Sequence, residues 1–153
     1  MYKVTTYLND DNMPYLVREE VSYNVDKKAQ YTDTDKVYEL CKAIHMTERA
    51  TEMVLLLIFD SAQHLLGISE ISTGAIDRSI ISTREIAQTM LLSGGVNAIV
   101  IHNHPSGDVE PSETDIASTR KLIEGLRLLN LTLLDHMVVG RWNYASMREK
   151  GVM

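Results

Sequence analysis

Two histidines, a turn-forming segment, then a serine and an aspartate make up the stretch His102-Asn103-His104-Pro105-Ser106-Gly107-Asp108-Val109-Glu110-Pro111-Ser112-Glu113-Thr114-Asp115. Imidazole nitrogen and carboxylate oxygen are ligands of zinc. A catalytic zinc site takes three of them from the protein and keeps a fourth position open, whereas a structural site is closed by four. His102, His104 and Asp115 supply those three. The chemistry such a site performs is hydrolysis, because zinc both polarises a carbonyl and lowers the pKa of a bound water to about 7.

The elements around this stretch must bring the three side chains together. Val96 to Ile101 is an apolar, β-branched run between Gly94-Gly95 and Pro105, which predicts a buried strand ending at the histidines. Residues at i and i+2 of an extended segment project to the same side, so the two imidazoles converge. Asp115 lies eleven residues beyond His104, and Pro105, Gly107 and Pro111 let the chain double back. A helix beginning at Ser112 sets Ser112 and Asp115 three apart on its first turn. The same four residues, Ser112 to Asp115, also fit an N-cap serine with acidic residues where the helix dipole favours negative charge. The joint pattern, His-x-His-Pro, six residues, then Ser-x-x-Asp, favours the metal site over capping alone. His45, His64 and His136 have no second ligand at a telling spacing and read as structural or surface histidines.

Elsewhere the chain alternates strands and helices. Tyr2 to Leu8 and Tyr15 to Val25 are β-rich and split by the turn cluster Asn9 to Pro14, predicting a hairpin, and Lys27 to Asp35 reads as a polar linker. Val37, Leu40, Cys41 and Ile44 fall on one face of a helix, which makes Cys41 a buried small hydrophobe rather than a nucleophile. Glu52 to Asp60 reads as a buried strand with an acid at each end, followed by a turn and a second strand from His64 to Thr73. Ser82-Thr83-Arg84-Glu85 has capping-box spacing, and Gly94-Gly95 closes that helix. The helix after Ser112 has Ile116, Ile123 and Leu126 on its apolar face. Leu131 to Val139 and Tyr144 to Met147 are the last strands, separated by a turn at Gly140 to Asn143. The expectation is an α/β fold with a mixed sheet covered by helices, organised as an N-terminal hairpin extension (1–30) and a main domain (31–153).

Composition narrows the function. A chain of 153 residues with 44% hydrophobic content can bury one adequate core without disulfides or a structural metal. The single Cys41 excludes an intrachain disulfide and a multi-cysteine zinc ribbon, which fits a reducing, cytoplasmic setting. No secretion-signal core opens the chain, and the longest plain apolar run, Val54 to Phe59, is too short to span a bilayer. Fifteen basic against twenty-one acidic residues give a net charge of −6, with no dense basic cluster, which argues against nucleic acid as a partner. A zinc base deaminase needs His-x-Glu and a Pro-Cys-x-x-Cys pair, which one cysteine excludes.

With these residues in place, the chain resembles the JAMM metalloproteases, also called JAB or MPN+, and within them the RadC-like bacterial branch. The likeness runs from about Asp33 to Val152. It is carried by His102 to Asp108, Pro111-Ser112 with Asp115, the Glu52 strand ending in Phe59-Asp60, Arg84-Glu85, and Leu134-Asp135-His136 with Gly140. It implies a zinc hydrolase on a cytidine-deaminase-like α/β/α sandwich, cutting an amide or isopeptide bond of a protein or peptide. His102, His104 and Asp115 would be the ligands, Glu52 the general acid/base, and Ser112 a hydrogen-bonding stabiliser of the oxyanion. Fuller-length members carry a helix–hairpin–helix module, where the first thirty residues here read as a β-hairpin. The alternatives are a repair-associated protein acting on nucleic acid and a non-catalytic JAB-fold interaction module. Glu52 opens its strand and the histidines close theirs, so its role requires those strands to be antiparallel neighbours.

Overall fold

Met-Val-Leu-Leu-Leu-Ile-Phe, an unbroken apolar run, forms the central strand β3 (Met53–Phe59), buried along its whole length. A strand covered on both faces reads as a continuous hydrophobic segment because neither set of alternating side chains meets water. Met53, Leu55, Leu57 and Phe59 enter one core, and Val54, Leu56 and Ile58 enter the other. Each such side chain contributes about 1.5–3 kcal/mol when fully buried. The computed structural model describes residues 1–21, 31, 33–73 and 81–153.

The other elements are β1 (Tyr2–Leu8), β2 (Pro14–Glu20), α1 (Thr34–Ala43), β4 (Leu65–Thr73), α2 (Thr83–Ser93), β5 (Asn97–Asn103), α3 (Glu113–Arg127), β6 (Thr132–Val139) and β7 (Tyr144–Ser146), with one 3-10 turn at Met46–Glu48. The strands make a seven-stranded mixed sheet in the order β2-β1-β4-β3-β5-β6-β7. β1 with β4 and β5 with β6 are parallel, and the remaining neighbours are antiparallel. The core that holds Val37, Leu40 and Cys41 of α1 lies on one face of the sheet. Ile86 and Met90 of α2 and Leu122 and Leu126 of α3 share the core on the other. This is the α/β architecture with a mixed, helix-covered sheet and an N-terminal hairpin that the sequence predicts. β1 lies beside β4 with Lys3 level with Ile68, and Val4 enters the α2–α3 core.

Boundaries follow local chemistry. Asp33 accepts the Asp35 N–H and so starts α1, which draws Thr34 and Asp35 out of the expected linker into the helix. β2 ends at Glu20 with Val21 just beyond it, and the expected continuation from Ser22 to Val25 and the linker from Lys27 to Gln30 lie outside the described residues. Ser82 caps α2. Gly94 ends it at φ 73°, a left-handed conformation that favours glycine. Gly95 is there for space, since a Cβ would stand 2.2 Å from Ile58 Cγ2. On α3 the buried residues are Thr119, Leu122 and Leu126, while Ile116 and Ile123 are only half-buried. The helix is thus turned to admit a threonine, for a reason found at the site. Among the described residues no helix is long and apolar enough to cross a membrane.

Candidate metal centre

β5 ends where the histidines begin to converge. Its alternation aims His102, and His104 one residue past the strand, at the N-terminus of α3. The chain then turns, with the Gly107 N–H donating to the His104 carbonyl at 3.0 Å and Gly107 itself at φ 82°. This loop sits on the end of β6: a Cβ at Gly140 would meet Val109 Cγ1 at 2.9 Å and the Gly107 carbonyl at 3.1 Å. The His104 N–H donates to the Val139 carbonyl at 2.9 Å.

Ser112 and Asp115 close a capping box. Ser112 Oγ accepts the Asp115 N–H at 3.1 Å, and Asp115 Oδ2 accepts both the Ser112 N–H at 2.8 Å and the Ser112 hydroxyl at 2.6 Å. The two readings of these residues are therefore one arrangement. Capping orients the aspartate, and the aspartate faces the histidines.

The three donor groups meet. His102 Nε2 is 3.0 Å from His104 Nε2 and 3.6 Å from Asp115 Oδ1, and His104 Nε2 is 3.8 Å from Asp115 Oδ2. Among the described residues these are the group of His, Cys, Asp and Glu side chains whose ligand atoms lie within 4.8 Å of one another. A tetrahedral ion bound at about 2.0–2.2 Å holds its donors roughly 3.3–3.5 Å apart, close to the sides of this triangle. The residues fit a metal ion of that kind.

Hydrogen-bond partners orient the three rings toward this arrangement. Thr119 Oγ1 donates to the Asp115 carbonyl at 2.7 Å and lies 2.5 Å from His136 Nδ1, and with its hydrogen on the carbonyl it accepts from that ring nitrogen. His136 therefore carries its proton on Nδ1. Its bare Nε2 accepts from His102 Nδ1 at 2.7 Å, which leaves His102 Nε2 without a proton. His104 Nδ1 donates to the Asp108 carbonyl at 2.5 Å, which turns its Nε2 toward His102. Burial pushes His102 down to about 4, opposed by Asp115 and assisted by His104, and burial takes His136 well below the usual histidine range. Both rings are neutral at ordinary pH. Two imidazole nitrogens 3.0 Å apart beside a carboxylate suit a cation shared among the three groups.

His136 is fully buried and bonded to His102, so the surface alternative read from sequence is corrected, whereas His45 and His64 are exposed. A bulge aims it. Between Ala98 and Ile99 the ladder skips Leu134, so that His136 pairs with Val100 and joins the face of His102. Asp135 then points the other way, where it accepts from Ser146 Oγ at 2.6 Å and from the His136 and Arg148 N–H groups at 2.8 and 3.1 Å. Burial raises its pKa while these bonds and Arg148 lower it. Residue spacing missed Thr119, His136 and the buried Asn103. The available signal was Asp135-His136 inside an otherwise apolar strand, because buried polar groups need partners.

Glu52 immediately precedes β3 and is half-buried. β3 and β5 are antiparallel neighbours, as its expected role requires, with Val54 opposite His102. Continuing both chains by two residues brings Glu52 level with His104. Cys41 is buried and its thiol is pushed up to about 12 by burial, which suits packing rather than nucleophilic attack.

Removing the outer imidazole tests its hold on the ligand. His136→Ala should weaken metal affinity about 10- to 100-fold, the usual worth of such a partner, in competition with a chromophoric chelator. Unchanged affinity in a folded variant would show that His102 needs no such support.

A family model described as the RadC-like JAB domain matches residues 31–152. Among similar curated proteins, a UPF0758 protein of Methanococcoides burtonii is 34% identical over 136 residues, covering 89% of this chain and 59% of the relative. A UPF0758 protein of Thermotoga maritima is 36% identical over 116 residues, covering 76% of this chain and 51% of the relative. One from Trichormus variabilis is 43% identical over 98 residues, covering 64% and 40%. The chain thus spans about 40 to 59% of the length of these relatives.

Proposed function

The chain belongs to the RadC-like JAB domain family, and from that premise we propose that it is a zinc-dependent hydrolase cleaving an amide bond, peptide or isopeptide, in a protein substrate. The observation that carries this reading is the convergence of His102 Nε2 and His104 Nε2, 3.0 Å apart, on the Asp115 carboxylate. Two imidazoles and one carboxylate suit zinc and leave its fourth position open. When bound, zinc supplies a Lewis acid for the carbonyl and a water acidic near neutral pH.

The chain's own groups do the rest. Glu52 takes the proton from the attacking water and passes it to the leaving nitrogen, so that the amine departs neutral. Among the described residues no hydrogen bond or ion pair engages the Glu52 carboxylate, which supports its being free for that task. Ser112 Oγ can turn its hydrogen toward the oxygen on which charge develops, while the Ser112 N–H keeps hold of Asp115 Oδ2. His136 and Thr119 keep His102 in the tautomer that presents Nε2. We place the activity in the cytoplasm, a setting compatible with a lone buried cysteine.

The test is a screen of the zinc-loaded and chelated chain against peptide, isopeptide and DNA substrates. Cleavage of an amide substrate that chelation stops and zinc restores is expected. With a net charge of −6, duplex DNA should bind no better than about 10⁻⁴ to 10⁻⁶ M near physiological salt. DNA cleavage without amide cleavage would replace this reading with the nucleic-acid alternative. Zinc binding with no cleavage of any kind would favour an interaction module.

A further inference from the structure

We infer that Asn103, the residue between the two histidines, is a positioning residue that registers Glu52 against the metal-binding strand, an inference resting on the acid/base reading of Glu52. Alternation along β5 sends Asn103 away from His102 and His104, into the interior, where it is 2% exposed. Its Oδ1 accepts the Met53 N–H at 2.8 Å, and its Nδ2 donates to the Thr51 carbonyl at 3.2 Å and the Arg49 carbonyl at 3.5 Å. The amide orientation follows from its partners, since an N–H only donates and a carbonyl only accepts.

Thr51 C=O and Met53 N–H belong to the two peptide planes that meet at the Cα of Glu52. Peptide planes are rigid, so their mutual orientation is the φ and ψ of Glu52 and sets where its Cα–Cβ bond points. One side-chain amide holds both planes. The backbone ladder between β3 and β5 stops at Val54 and His102. Beyond that pair the Asn103 side chain takes over the pairing, from the very residue flanked by the two ligands. Distances between Glu52 and the histidines are thereby set by a single residue's geometry. Aspartate at 103 would keep the acceptor and lose the donors, leucine would lose both, and glutamine would be one carbon too long.

The test uses the zinc-loaded chain and a peptide substrate from the screen above, with Asn103→Ala, Glu52→Gln and the double variant. Asn103→Ala should keep one zinc and a cooperative melt, speed hydrogen exchange at the Met53 amide, and lower kcat by up to about 10²-fold with little change in KM, the effect of a misplaced catalytic group. The double variant should be no slower than Glu52→Gln alone, because both changes act through one carboxylate. Losses that multiply in the double variant, or Met53 exchange that does not change, would overturn the role of Asn103 alone. Full hydrolysis by Glu52→Gln would instead sink the acid/base reading and this inference with it. If Asn103→Ala does not fold, Asn103→Leu, which fills the same space and lacks both the acceptor and the donors, carries the same comparison.

Discussion

Glu52→Gln should lose hydrolysis by about 10²- to 10⁴-fold, the worth of a positioned acid/base, with zinc content and melting temperature unchanged. Glutamine keeps the size of the side chain and removes only the ability to accept and return a proton. The residue lies outside the converging donor group among the described residues, so the metal has no reason to leave. Its position at the entry to β3 costs the core nothing, because burial begins with Met53. Kinetics with the zinc-loaded variant, beside elemental analysis of the same sample, separate the two effects. A Glu52→Gln protein that hydrolyses at the parent rate would remove Glu52 from the mechanism and leave the metal site standing.

His104→Ala should abolish stoichiometric zinc. Three protein donors make the proposed site, and two of them, His102 and Asp115, would remain with a gap where the third lay 3.0 and 3.8 Å away. An open three-ligand site has no spare donor to replace the loss. Elemental analysis after dialysis against a weak chelator reads the outcome. Full retention of metal would sink the assignment of His104. His104 stands just past β5 and is less buried than His102, so the variant should fold, and a normal far-ultraviolet circular dichroism spectrum would confirm that metal loss is local.

What sequence makes legible here is what depends on neighbours along the chain. The apolar run of β3, the caps at Ser82 and Ser112, and the paired glycines after α2 are local signals, and each element they mark is present. The convergence of His102, His104 and Asp115 was also readable, because two of the three are i and i+2 on one strand and the third is tied to a helix start. The layer behind them was not. Thr119 looked like an ordinary polar helix position, and the face predicted from Ile116, Ile123 and Leu126 is rotated to bury it beside His136. His136 reaches the ligand face only through a one-residue bulge at Leu134, and periodicity carries no sign of a bulge. Asn103 had no distinguishing spacing, since its partners lie about fifty positions earlier in the chain.

The capping box on α3 has a consequence for how metal and chain meet. Asp115 is already held by two hydrogen bonds from Ser112, and those bonds belong to the helix, not to the ion. His102 is likewise steered by His136, and His104 by the Asp108 carbonyl, through hydrogen bonds of the protein's own. If the site takes zinc as proposed, side chains held this way have few torsions left to order, and most of the binding free energy should be available as affinity instead of being offset by chain ordering. Uptake should resemble the docking of a guest in a rigid host: rapid, with a small entropy penalty, and reversible without unfolding.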